Sequence, residues 1–294
     1  MMVGLSLSAA AAAGCASEPG PGFLGDDDRI ELCQGLIDVP DPALREALLE
    51  VVPQPEPPEG EEPPDEPPDP VIVADQLRRI RGLNVPGRGI ADLTGLECAQ
   101  GLLSLGLADN EITDISPLLD LTGLEQIELS GNQITDLRAL GTLFRLQRLA
   151  LDENGITDIS ELSGLTQLET LDLANNEVTN LSPLSGLEQL AVLVLSGNDV
   201  SDLSPLRSLD ALIGLEIDDN AVRSLEPLSG LGALRYVDLD GNEITSLLPL
   251  AASTDMQEIE ASRNQLTTLE GVEDMVGLTR IVAQQNEITT TAGV

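Results

Sequence analysis

The sequence predicts an α/β solenoid, in which stacked turns each lay one short strand into a curved parallel sheet. Two observations carry this. Asn110, Asn132, Asn154, Asn176, Asn198, Asn220, Asn242, Asn264 and Asn286 follow one another at an unbroken 22-residue step, and a fixed period of about 20 to 50 residues marks repeat architectures. The chain is also 41% hydrophobic but only 1% aromatic, so its apolar volume must come from Leu, Ile, Val and Ala. One compact core is seldom built that way.

Each position around the asparagine has a physical task. The clearest copy, LETLDLANNEVTNLSPLSGLEQ from Leu168 to Gln189, fits L-x-x-L-x-L-x-x-N-x-I/V-x-x-L-x-P-L-x-x-L-x-x. Leu171 and Leu173 give the period of two of a short strand with alternate side chains inward. The asparagine amide then bonds otherwise unpaired backbone groups of the neighbouring turn, forming an internal ladder. Pro117, Pro183, Pro205, Pro227 and Pro249 stand seven residues after their asparagines, where a fixed φ suits a tight, 3₁₀-like convex segment. Leu184, Leu187 and Leu190 return the chain to the core. A single turn cannot bury its apolar side, so stability comes from stacking.

Before the repeats, LIDVPDPALREALLEVV (36–52) reads as an amphipathic helix with Asp41 as N-cap and Pro42 at the first helical position. From Pro53 to Pro70, nine Pro and seven Asp or Glu fill eighteen residues, a composition that forms an extended, solvated loop. Helical pattern resumes at Ala74 to Ile80.

The repeat frame closely resembles the leucine-rich repeats of bacterial internalin-like surface proteins, and also the 22-residue repeats of eukaryotic phosphatase-regulating proteins. The irregular first turn (Leu77 to Gly101) lacks the asparagine position and resembles the first repeat of the bacterial members, and IDVPDPALREAL resembles their helical N-terminal cap. The resemblance implies an α/β leucine-rich-repeat solenoid, with a curved parallel sheet, short 3₁₀ or irregular convex segments and a small helical cap. This chain departs in placing a Pro/Glu-rich loop inside the cap. Only eight residues follow Asn286 and no C-terminal cap is recognisable, so further chain or a partner is expected to cover the apolar end.

Residues 1–16 are small and apolar, too short to span a bilayer but suited to a signal peptide. Ala12-Ala13-Gly14-Cys15 resembles a bacterial lipobox, which implies lipidation of Cys15 and an exported, envelope-anchored protein. The expected organisation is a signal peptide at 1–14, a flexible tether at 15–35, a helical cap at 36–82 and repeats at 83–294, one irregular and nine regular. In an oxidising compartment Cys33 and Cys98 either form a disulfide, closing a loop worth about 4 kcal/mol, or remain two buried thiols. Their spacing matches no zinc or redox motif.

Charge and composition exclude several functions. Lys and Arg total 14 against 51 Asp and Glu, a net charge of -37 that repels nucleic acid and anionic lipid alike. His is absent, which removes the commonest general base and metal ligand. No phosphate-binding loop, nucleophile elbow or H-E-x-x-H helix occurs, so neither enzyme activity nor a cofactor is expected. No Asp/Asn/Gly loop of calcium spacing is present, and no metal is expected.

The outward strand positions lie six, four, two and one residues before each asparagine and build the concave face. Four before, the column reads Gly106, Glu128, Ala150, Asp172, Val194, Glu216, Asp238, Glu260 and Val282; beside it come Asp152, Asp218 and Asp240, with Tyr236 and Glu258 six before theirs. Like charges about 4.8 Å apart repel by about 0.8 kcal/mol in water and more when shielded. Either this acidic groove docks a basic protein surface or a cation, or the carboxylates simply keep an acidic chain soluble. The expected function is a monomeric, non-enzymatic protein-interaction module on the bacterial envelope that meets the membrane only through Cys15. The alternative is an intracellular scaffold like the phosphatase regulators. A face so poor in aromatics offers few conventional hot spots.

Overall fold

The computed structural model describes residues 33–52 and 70–289. The expected signal peptide at 1–14, the expected lipidation position Cys15, the expected tether up to residue 32 and residues 53–69 of the Pro/Glu-rich stretch lie outside them. Among the described residues no helix is long and apolar enough to cross a membrane.

Ten three-residue strands form one parallel sheet in sequence order. They are β1 (Gly82–Asn84), β2 (Ser104–Gly106), β3 (Gln126–Glu128), β4 (Arg148–Ala150), β5 (Thr170–Asp172), β6 (Val192–Val194), β7 (Gly214–Glu216), β8 (Tyr236–Asp238), β9 (Glu258–Glu260) and β10 (Arg280–Val282). Each strand pairs with the next in a register offset of one repeat, so Leu105, Ile127, Leu149, Leu171, Leu193, Leu215, Val237 and Ile259 fall in one inward row. All of that row is 2% exposed or less. Strands are short because the chain must turn twice within one repeat, and 3₁₀ segments such as Ser182–Gly186 and Ser204–Leu206 line the opposite side with proline in their first turn.

The asparagine ladder runs the length of the sheet. Asn176 Nδ2 donates to the carbonyls of Leu151 (3.0 Å), Leu173 (3.0 Å) and Ala174 (3.1 Å), while its Oδ1 accepts from Ile156 N at 3.0 Å. Each asparagine thereby closes its own turn and ties it to the preceding one. Asn110, Asn132, Asn176, Asn198, Asn242 and Asn264 are buried, and no buried side-chain polar atom among the described residues lacks a hydrogen-bond partner.

The first turn solves the same problem differently. Arg88 stands in the asparagine slot, one repeat before Asn110, and its backbone N donates to Asn110 Oδ1. Its guanidinium reaches Glu50 in a two-pronged pair, at 3.1 and 3.0 Å, on the first cap helix, α1 (Pro42–Val51). Asp41 caps α1 through Oδ1, accepting from Ala43 and Leu44 N, and clamps the first repeat through Oδ2, accepting from Ala91 and Asp92 N. Burial alone would raise the Asp41 pKa, but these four N–H groups hold it below its ordinary value. A second short helix, α2 (Ala74–Leu77), follows the isolated bridge between Leu36 and Val73.

Cys33 and Cys98 are bonded, with Cα atoms 5.2 Å apart and 65 residues of separation, and so join the chain before α1 to the first convex segment. The sheet opens at Gly82, which pairs with Ser104. Glycine takes the proline slot in the first and last convex segments, at Gly95 (φ +98°) and Gly271 (φ +107°). A β-carbon at Gly95 would lie 2.8 Å from Val39 Cγ2, and one at Gly271 would lie 2.6 Å from Leu248 Cα. Only glycine lets the chain close against its neighbour at these two points.

Replacing one rung tests the ladder. Asn176→Ala leaves the Ile156 N–H unpaired and takes one of two donors from each of the Leu151, Leu173 and Ala174 carbonyls, and is expected to lose about 1–3 kcal/mol of stability in urea unfolding followed by circular dichroism. A loss within error would show that the ladder is dispensable.

Candidate functional site: the acidic half of the concave face

Register places the outward columns on one surface, and their charge is uneven along it. Over β1–β5 lies a shallow groove of about 410 Å³ whose lining includes Asn84, Ser104, Gly106, Gln126, Arg148 and Thr170. Its glycine and Ala150 leave the floor low. Glu128 is exposed on β3, and Asp152 accepts from Ser130 Oγ of the preceding repeat. From β5 onward carboxylates dominate.

Asp172, Glu216, Asp218, Asp238, Asp240, Glu258 and Glu260 are half-buried, so each stands partly shielded from water beside others of its sign. Asp218 accepts from Ser196 Oγ, Asp238 from Asp240 N at 3.0 Å, and Asp240 from Ser262 N. Arg280, on β10, bridges Glu258 and Glu260. Arg263 reaches Asp219 at 2.7 Å, from one repeat beyond its neighbour. Glu216 and Asp238 have no ion pair among the described residues.

The pKa directions follow from this arrangement. Burial, then neighbouring Asp218, Asp240 and Glu260, pushes Asp238 up to about 6, against a hydrogen bond from Asp240 N that pulls the other way. Burial and then Asp218, Asp172 and Glu260 raise Glu216. Asp172 is raised by burial first and then by Asp152, opposed by the bond from Ala174 N. Tyr236, half-buried beside Glu216, Asp238, Glu258 and Glu260, is raised by burial and by all four charges. Partial burial and mutual repulsion together therefore disfavour the charged forms of Asp172, Glu216 and Asp238, which no arginine reaches among the described residues.

One carboxylate oxygen each from Asp238, Asp240 and Glu260 lies within 4.8 Å of the others, the only grouping among the described residues that could hold a metal. Arg280 engages Glu260, and backbone N–H groups engage the other two.

The structure brings Glu216, Asp218, Tyr236, Asp238, Asp240, Glu258 and Glu260 together over β7–β9. Glu128, Asp152 and Asp172 stand further along the sheet, on or beside β3–β5. Sequence reasoning missed Arg280, which bridges the last pair and offsets one of its two charges, and Gly214, which lies beside Tyr236. Both occupy the column six before the asparagine that singled out Tyr236, so reading that column to its end would have found them.

Titration of Asp238 is measurable. Its folded pKa of about 6 exceeds the ordinary 3.8, so its stabilising contribution is complete below 3.8 and is lost as pH rises through about 6. Urea midpoints of Asp238→Asn are expected to rise relative to the wild type between pH 4 and about 6.5; parallel profiles would contradict the shift.

Comparison with known proteins agrees with this architecture. The family profile for leucine-rich repeats, in two copies, matches residues 100–142 and 145–186. A search of curated proteins returns no match. Among solved structures, an internalin (inlF) from Listeria monocytogenes superposes with a TM-score of 0.79 at 29% identity, over 95% of this chain and 75% of that one. Internalin C2 (inlC2) from the same organism gives 0.66 at 29% identity, over 83% and 94% of the two chains. The functional domain of InlJ from Listeria monocytogenes, which includes a cysteine ladder, shares the fold at 24% identity and a TM-score of 0.66, over 85% and 56%. The chain is a leucine-rich-repeat solenoid, similar in structure to the Listeria internalins.

Proposed function

We propose that this protein is a non-enzymatic interaction module, displayed on the bacterial envelope through a lipid on Cys15, that docks a basic protein surface on the acidic half of its concave face. The carrying observation is the row Asp172, Glu216 and Asp238: half-buried carboxylates held on a packed sheet, each with its pKa raised and with no ion pair among the described residues. A coat serving only solubility gains nothing from shielding its charges, since an exposed carboxylate is better solvated. A partner's cations would relieve both the mutual repulsion and the desolvation.

Three further features support the reading. Similarity to internalins favours a binding role over a catalytic one. The bonded Cys33 and Cys98 favour an oxidising compartment over the intracellular scaffold. The net charge of -37 speeds encounter with a basic partner and disfavours nucleic acid.

The test uses the full chain and a dye-labelled peptide of about a dozen Arg, Gly and Ser residues as probe, followed by fluorescence anisotropy. Binding is expected to weaken as salt rises. The triple change Asp172→Asn, Glu216→Gln and Asp238→Asn is expected to lower affinity at least about tenfold, while Asp114→Asn, Asp158→Asn and Asp202→Asn, three exposed acids just before the 3₁₀ segments, together leave it unchanged. Equal loss from both sets would make the binding a general effect of net charge and overturn the reading.

A further inference from the structure

The chain contains one tyrosine and no tryptophan, and that tyrosine sits at the centre of the acidic half. Tyr236 occupies the outward column six before its asparagine, between Gly214 on β7 and Glu258 on β9. Gly214 has an outward position and no side chain, yet it is buried, so its neighbours close over it. A β-carbon there would stand 4.0 Å from Tyr236 Cδ1 and 3.9 Å from both γ-methyl carbons of Val192. Val192, the Gly214 backbone and the Tyr236 ring therefore form a continuous apolar shelf. Glu216 and Asp238 border it in the adjacent column, and Glu258 and Glu260 stand beyond.

The sheet itself contains the contact that this shelf lacks. One strand further on, Arg280 places its guanidinium on Glu258 and Glu260, the outward pair of the preceding strand. On β7 and β8 the equivalent positions hold Gly214 with Glu216 and Tyr236 with Asp238, and no arginine of this chain reaches them among the described residues. The column that supplies Arg280 supplies an aromatic ring instead. A guanidinium is planar, stacks on aromatic faces and donates in a fork to carboxylates.

We propose that Tyr236, with Glu216 and Asp238, forms an anchor site for an arginine side chain of the protein partner, whose guanidinium stacks on the ring and donates to the two carboxylates while its methylenes lie along Val192. An arginine fits better than a lysine because a compact ammonium gains less from the ring and cannot fork between the two acids. This rests on the acidic face being the docking surface and adds to it the residue type recognised.

The lone tyrosine is also the probe. The full chain is titrated with the aromatic-free Arg/Gly/Ser peptide, unlabelled, while Tyr236 emission is followed, and the labelled form is followed by anisotropy. Saturable change in Tyr236 emission is expected with the same midpoint as the anisotropy, and at least about threefold tighter binding than for the Lys form of the peptide. Gly214→Val keeps the ring and every charge but places methyl groups on the shelf between Val192 and the ring; it and Tyr236→Leu are each expected to weaken the Arg peptide about fivefold and to remove most of the Arg-over-Lys preference. Gly214→Ala, whose single carbon meets only ordinary contacts, retains most of the affinity. If the peptide binds but Tyr236 emission does not respond, or if Gly214→Val and Tyr236→Leu bind it like the wild type, the anchor is wrong while the acidic docking face stands. If the peptide does not bind the wild type, both fall.

Discussion

Every turn of this solenoid leaves backbone N–H and C=O groups inside, away from water, and the asparagine amide is what they bond to. One side chain carries both a donor and an acceptor, so it closes its own turn and fastens it to the one before. Leucine could fill the same volume but would leave the inward N–H groups, such as that of Ile156, unpaired. An unbroken row of such amides fixes the step between turns, and a constant step puts every strand in the same register as its neighbours. The inward leucine rows, the glycine or proline turns and the outward columns all inherit that constancy.

The concave face is therefore a grid whose spacing is set from within, and evolution can write on it one column entry at a time without disturbing the core. Its first half is low and polar, with Arg148 its cation. Its second half gathers half-buried carboxylates whose repulsion the packed sheet withstands. At the far end Arg280 bridges Glu258 and Glu260 and offsets one of their two charges, while Asp172, Glu216 and Asp238 have no ion pair among the described residues. Among the described residues the Cys33–Cys98 bond, the Asp41 clamp and the Arg88–Glu50 pair all join the cap to this grid.

Most of the fold was legible because its determinants are local and repeated. The asparagine spacing gives the register, L-x-L gives the strands, and Asp41-Pro42 gives the start of α1. The outward columns were legible for the same reason, since alternation along a three-residue strand leaves no doubt about which side chain faces out. What the sequence hid is how outward neighbours settle among themselves. Arg280 turning back onto β9, Ser130 and Ser196 serving Asp152 and Asp218, and Tyr236 closing over Gly214 depend on side-chain reach between repeats, which no single repeat encodes. Arg88 was hidden differently: it breaks the asparagine pattern, and its reason is Glu50 on a helix well before it in the chain.

The most direct test of the ladder's governing role is backbone amide hydrogen exchange followed by nuclear magnetic resonance. The N–H groups of Ile112, Ile134, Ile156, Val178, Val200, Val222 and Ile244 each donate to an asparagine Oδ1 of the following repeat. If these bonds hold the grid, the seven amides exchange as slowly as those of the inward strand row, and Asn176→Ala speeds Ile156 selectively. Exchange at the rate of the exposed convex turns would mean that leucine packing alone sets the register, and that the ladder follows the fold rather than fixing it.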